Sequence, residues 1–186
     1  MTPHRLTAAD SLVLVIDVQD KLLAKMPSAA ALVASVGFVL DVATFLGVPV
    51  RATEQYPKGL GPTTAEIARR LIPPVPAKTA FSCCGADGFV AELRATGRRT
   101  VVLAGMETHV CVAQTAFDLL AAGFAVVLPV DAVSSRFDLD HATALRRLER
   151  AGAVLTTAEA VAFEWVADAA HPQFKAVSKL VIDRVR

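Results

Sequence analysis

Apolar positions along this 186-residue chain follow two spacings in turn. Short unbroken apolar runs suit strands covered on both faces. Longer stretches, apolar at every third or fourth position, suit helices buried on one side. Leu12–Ile16 is the first strand of this kind. A helix from about Ser28 to Leu46 follows, with Val33, Val36, Leu40 and Ala43 on one stripe and Gly47 as its stop. Val48–Thr53 is the next strand, and Pro49 moves its start to about Val50. Tyr56–Pro62 reads as a loop from its Pro and Gly punctuation. Thr63–Leu71 is a short helix, Val75–Thr79 a brief strand and Gly88–Thr96 a helix. Thr100–Ala104 is a strand, followed by a helix His109–Ala122 that Gly123 ends. Ala125–Val130 is a strand, Leu139–Ala151 a helix and Ala153–Thr156 a last strand. Thr156 or Thr157 caps a helix to about Val166, and Phe174, Val177, Val181 and Val185 mark a final one.

Six strands alternating with helices predict an α/β fold of three layers, αβα, around a six-stranded, mostly parallel sheet. No composition shift or long linker divides the chain, so one domain over residues 1–186 is expected. In open sheets of this kind the site lies beyond the C-terminal strand ends. The apolar C-terminal segment, residues 163–186 with the lone Trp165, predicts a homo-oligomer interface, because such a stripe left in water is unfavourable.

Composition narrows the classes. The formal charge is +1, and the Arg146, Arg147 and Arg150 cluster reads as a solvated helix face, so no nucleic-acid footprint is expected. The longest apolar runs, Leu12–Ile16 and Ala125–Val130, are far below membrane-spanning length, and no membrane is expected. The polar start has no signal-peptide pattern, which predicts a cytoplasmic protein. Three cysteines, with Cys83 and Cys84 adjacent, fit neither a disulfide framework nor a zinc site. Gly59 and Gly61 lack the strand–loop–helix context of a phosphate loop, and no dinucleotide fingerprint occurs.

The strand ends carry the candidate chemistry. Asp17 ends the first strand, Lys78 the third, and Cys111 follows the fourth at the start of a helix. A thiol at a helix N-terminus is expected to have a depressed pKa. A nucleophile, a base and a cation on one rim make a coherent set. Cys111 would attack a carbonyl carbon, Asp17 would move protons and Lys78 would supply fixed charge. Backbone N–H groups of the Met106, Glu107 and Val110 turn would hold an oxyanion. Gln19, Glu54, Tyr56 and Phe81 lie just past strand ends as pocket candidates. His109 joins them as pocket wall or cap, because residues two apart on a helix do not face each other.

Leu14-Val-Ile-Asp17-Val-Gln19, Lys78-Thr-Ala-Phe-Ser82 and Leu103-Ala-Gly-Met-Glu-Thr-His-Val-Cys-Val112 resemble the three signature blocks of the isochorismatase-like cysteine hydrolases. Asp131-Ala-Val-Ser-Ser-Arg136 resembles a further block. Thr53-Glu-Gln-Tyr-Pro-Lys-Gly-Leu-Gly-Pro62 and Asp168-Ala-Ala-His-Pro-Gln-Phe174 resemble the isochorismatase domain-containing proteins. The resemblance implies a Rossmann-like hydrolase fold and a triad of Asp17, Lys78 and Cys111. It also implies a non-proline cis peptide at Met106–Glu107 and assembly as dimers up to octamers. True isochorismatases lack the cysteine, so Cys111 points to the amidase-like branch and a small-molecule substrate. Nicotinamidases carry an Asp-x-His metal motif after the second strand. Here Arg51-Ala-Thr-Glu-Gln-Tyr56 stands in that place, so no metal and no cofactor is expected. The competing reading is a scaffold that kept the hydrolase fold without useful turnover. A thiol-redox pairing of Cys111 with Cys83 or Cys84 is a third.

Overall fold

The computed structural model describes residues 5–184. Val185, counted above in the final apolar stripe, lies outside them, as does the polar start over residues 1–4. The strands are β1 (Ser11–Ile16), β2 (Val50–Gln55), β3 (Ala77–Lys78), β4 (Thr100–Met106), β5 (Ala125–Pro129), β6 (Val133–Ser134) and β7 (Val154–Thr156). The helices are α1 (Asp20–Leu23), α2 (Ala29–Leu46), α3 (Pro57–Leu60), α4 (Ala65–Ala68), α5 (Phe89–Ala95), α6 (Ala113–Ala121), α7 (Asp138–Arg150), α8 (Ala158–Val166) and α9 (Phe174–Ile182). The sheet runs β3-β2-β1-β4-β5-β7, with the short β6 paired to β4, and every strand pair is parallel.

The unbroken apolar runs divide residue by residue between two cores, as period-two side-chain geometry requires. Leu12, Leu14 and Ile16 of β1 face the core beneath α5, α6 and α7, with Val101 and Leu103 of β4. Val13 and Val15 face the opposite core with Val102, Ala104 and Met106, where α2, α8 and α9 pack. Truncating a fully buried leucine such as Leu14 to alanine would cost about 2–5 kcal/mol.

α2 departs from the expectation that no segment approaches membrane-spanning length. Its 18 residues have a mean hydropathy of 2.1, long and apolar enough to cross a bilayer by length and composition. Scattered Ser35, Asp41 and Thr44 break the continuous runs but leave the average high. Half of the helix is buried inside the protein, against α4, α8 and α9. Gly47 ends it in the left-handed conformation (φ 66°).

Other local differences follow from tertiary packing. The expected loop at Tyr56 contains the single helical turn α3, with Pro57 at its start. The expected helix Thr63–Leu71 is regular only over α4. The C-terminal apolar stripe is used within the protomer. Trp165 is buried and donates its indole N–H to Ser11 Oγ at 3.0 Å, and Val166 and Val177 join the core with α2. That burial accounts for part of the apolar content of residues 163–184, while Phe163 and Ile182 stay exposed.

Candidate active site

The close approach of β1 and β4 builds the site. Ile16 pairs with Gly105, and a Cβ at Gly105 would stand 2.1 Å from the Ile16 carbonyl oxygen. Gly105 also has φ 124°, a conformation open to glycine. The chain ends of both strands are thereby brought side by side. Asp17 leaves β1 with φ 55°, in the left-handed region that Asp tolerates better than most residues. After β4 the Met106–Glu107 peptide is cis. The chain then makes one turn of π-helix, Thr108–Val112, before α6.

These features bring Asp17, Lys78 and Cys111 together. Lys78 Nζ donates to Asp17 Oδ2 at 2.7 Å, and both side chains are almost wholly shielded from solvent. Lys78 also donates to Gln55 Oε1 at 2.7 Å, to the Phe81 carbonyl at 3.0 Å and to the Ala80 carbonyl at 3.3 Å. An ammonium has three N–H groups, so protein acceptors occupy all of them. Asp17 Oδ1 accepts from Thr53 Oγ1 at 2.9 Å. Cys111 is buried beside this pair, close enough for Asp17 and Lys78 to act on its thiol electrostatically.

The charge state differs from the depressed thiol expected at a helix N-terminus. Burial, and then the negative charge of Asp17, pushes the Cys111 thiol up to about 12, with Lys78 opposing. The π turn offers little compensation, because the Val110 and Val112 N–H groups both donate to the Glu107 carbonyl, at 3.0 and 3.2 Å. Val110 therefore has no free N–H for an oxyanion. Burial also raises Asp17 above the ordinary carboxylate value, opposed by the charge and hydrogen bond of Lys78 and by hydrogen bonds from Cys111 and Thr53. The resting pair is a neutral thiol beside a carboxylate of raised basicity.

The other sequence candidates are placed differently. Glu54 Oε1 accepts from the Thr63 N–H at 2.7 Å and the Thr63 hydroxyl at 2.8 Å, which fixes the following loop. Gln19 donates to the Gln55 and Gly61 carbonyls and accepts from the Gln55 N–H, clamping that loop to β2. Tyr56 and Phe81 are 53% and 54% exposed, a rim rather than enclosed walls. His109 bonds Ser135 Oγ through Nδ1 at 2.9 Å, with Nε2 3.8 Å from Asp140. Glu107 accepts from Arg136, backbone at 3.1 Å and side chain at 3.0 Å, tying the turn to the segment after β6.

Thr53 and Gln55 were missed, although period two finds them. They lie on one face of β2, where Ile16 pairs with Thr53 and Lys78 with Gln55. Glu54, a pocket candidate for its place near the strand end, alternates to the other face. Cys83, weighed in the sequence as a redox partner of Cys111, packs beside Thr53 with its sulfur 3.4 Å from the hydroxyl. Two concavities of about 790 and 830 Å³ lie elsewhere and touch none of the three convergent residues. Among the described residues, no group of three or more His, Cys, Asp and Glu is arranged to hold a metal ion.

Comparison with known proteins accords with this geometry. An isochorismatase domain matches residues 11–160. Isochorismatase domain-containing protein 2A of Mus musculus is 39% identical over 182 residues, covering 97% of this chain and 87% of that protein. The Bos taurus isochorismatase domain-containing protein 2 is 47% identical over 144 residues, 77% of this chain and 69% of that protein. A solved structure titled MAR1 ribonuclease from Caenorhabditis elegans superposes with a TM-score of 0.90 at 37% identity, over 98% of this chain and 95% of that one. The YcaC product of Escherichia coli, described as an octameric hydrolase of unknown specificity, gives 0.91 at 27% identity, over 100% and 93%. YcaC of Pseudomonas aeruginosa, solved with covalent acrylamide, gives 0.86 at 26% identity over 98% of each chain.

Proposed function

The chain belongs to the isochorismatase family, and from that premise we propose that it is a metal-independent cysteine hydrolase of a small amide or related C–N bond. The observation that carries this reading is the buried Lys78–Asp17 ion pair whose charges act on the buried Cys111 thiol.

The thiol is neutral at rest, so its proton moves as it attacks. Asp17 accepts the Cys111 proton while Sγ bonds to the carbonyl carbon. The tetrahedral adduct collapses, the C–N bond breaks, and Asp17 returns the proton to the leaving nitrogen. Water then adds to the thioester carbon and gives a proton to Asp17. The acid departs, and Asp17 returns the proton to sulfur. Lys78 keeps its charge throughout. Its N–H groups are held by Asp17, Gln55 and backbone carbonyls, so it acts through Asp17 and not on substrate.

That same saturation argues against phosphodiester chemistry, although a relative's structure bears a ribonuclease title. A cation with free N–H donors is a strong partner for a phosphoryl oxygen, and the donors of Lys78 are already taken. The covalent acrylamide in the Pseudomonas aeruginosa relative accords with a reactive nucleophile in that protein. Assembly as a homo-oligomer is part of the proposal. The exposed Tyr56 and Phe81 beside the strand ends support it, as does the octameric Escherichia coli relative.

The test is ammonia release from a panel of small primary amides, with an RNA substrate in parallel. Hydrolysis of at least one amide by the native chain, lost in Cys111→Ala with folding retained, is expected. Full turnover by Cys111→Ala, or RNA cleavage that survives it, would remove the mechanism.

A further inference from the structure

Thr53 holds Asp17 at two points. Its backbone carbonyl accepts the Asp17 N–H at 3.1 Å, and its hydroxyl donates to Asp17 Oδ1 at 2.9 Å. The left-handed Asp17 backbone is less favoured than an extended one for a residue with a Cβ, and these two bonds anchor it. A hydroxyl has one proton and two lone pairs. With its proton on Oδ1, Thr53 turns its lone pairs to other donors, and the Cys83 sulfur lies 3.4 Å away. Cys83 is fully buried, and its backbone N–H is pinned by Thr115 Oγ1 of α6 at 3.0 Å. Burial pushes its thiol up, which keeps a proton on sulfur. The polar chain therefore runs in one direction, from the Cys83 S–H to the Thr53 O–H to the Asp17 carboxylate.

We infer that Thr53 is a positioning residue for proton transfer, its hydroxyl, backed by the Cys83 thiol, holding Asp17 as the oriented carboxylate that receives the Cys111 proton. The inference rests on the hydrolase reading above. The titratable groups facing Asp17 are Lys78 from β3, Cys111 from the π turn and Cys83 from the turn Cys83–Gly85. Lys78 bonds Oδ2, whereas the Thr53 hydroxyl bonds Oδ1. The sign follows directly. A hydrogen bond to the charged form favours it, so its loss moves Asp17 titration upward and leaves less of the base ionised at a given acidic pH.

The experiment measures the rate of Cys111 alkylation by iodoacetamide from acid to mildly alkaline pH, with the site mapped by peptide mass. Native protein, Thr53→Val, Thr53→Ser, Cys83→Ala and Asp17→Asn are compared. The native rate is expected to rise along an acid limb set by Asp17. In Thr53→Val that limb should move up by about one pH unit, about tenfold slower at a given pH on the limb. Thr53→Ser should restore it, and Cys83→Ala should move it the same way by less. A Thr53→Val limb at the native position, in a protein that unfolds at its normal temperature, overturns the inference. So does a Thr53→Ser profile as displaced as that of Thr53→Val, since shape and not the hydroxyl would then matter. Should Thr53→Val fail to fold, an unmoved Cys83→Ala limb overturns the relay. If Asp17→Asn keeps the native profile, the hydrolase reading itself falls. A flat Asp17→Asn profile beside an unmoved Thr53→Val limb removes only the role of Thr53.

Discussion

Two regions of this molecule invite a functional reading, and they are built in opposite ways. One is a broad groove of about 790 Å³ between the start of α2, the 130–138 segment and Arg184, lined by Ser28, Ser35, Ser134, Ser135 and His141. The other is the end of β1, β3 and β4, where Asp17, Lys78 and Cys111 meet with almost no solvent contact. The groove has size and hydroxyls, but its polar groups bond one another. Ser28 meets Ser134 at 2.7 Å, and Arg184 reaches Asp131 at 2.6 Å and Ser35 at 2.8 Å. These contacts join α2, the C-terminal helix and the segment after β5. The strand-end cluster instead brings a thiol beside a carboxylate–ammonium pair in a desolvated setting. Cavity size is a default guide to a site; here convergence and desolvation are the better guide.

Changing the strand-end cluster should have the largest effect. Asp17→Asn keeps the shape and removes the proton acceptor, so amide turnover should fall by about 10²–10⁴-fold, as measured by steady-state ammonia release. A fall of less than about threefold, under 1 kcal/mol of barrier, would place the base elsewhere.

Lys78→Met breaks the buried pair and leaves Asp17 without its cation. Loss of about 3–5 kcal/mol in urea unfolding is expected. The double variant Asp17→Asn with Lys78→Met should be more stable than Lys78→Met alone, because no buried charge is then left unpaired. If the single and double variants unfold alike, the two side chains are not energetically coupled.

The groove should respond in the other sense. Ser28→Ala removes one hydrogen bond to Ser134, worth about 0.5–1.5 kcal/mol of stability. Turnover should stay within about twofold, a barrier change under 0.5 kcal/mol. A larger loss of turnover at unchanged stability would move the chemistry toward the groove.

The smallest effect is a pH dependence from the groove wall. Burial holds His141 below its ordinary value of 6.5, only partly offset by Asp138. A group depressed in the folded state favours the unfolded chain as it becomes protonated. Its stabilising contribution is therefore complete above pH 6.5 and lost as pH falls through the folded value. His141→Gln should flatten the decline in melting temperature between neutral and mildly acidic pH. An unchanged slope would assign that decline to other groups.

The sheet was readable in the sequence because buried parallel strands need unbroken apolar runs, and β1, β4 and β5 have them. Helix ends were readable where a single residue controls them, as at Gly47, and at Thr157, whose hydroxyl accepts the Ala160 N–H. Asp17, Lys78 and Cys111 stood out because strand ends point to one rim. Three things needed coordinates. Which residues of β2 face Asp17 depends on register, and position near the strand end pointed to Glu54 rather than to Thr53 and Gln55. The environment of Cys111 depends on the π turn, whose N–H groups close on Glu107. The use of Trp165 depends on its partner Ser11, far away in sequence.

The central claim is that Cys111 reacts because Asp17 takes its proton. The most direct measurement is limiting alkylation of the native protein at neutral pH, mapping which of the three cysteines is modified. Exposure alone favours Cys84, which is partly exposed, while Cys83 and Cys111 are buried. Selective modification of Cys111, lost in Asp17→Asn, is the predicted result. Modification of Cys84 first, with Cys111 silent until alkali approaches its raised value of about 12, would contradict the account.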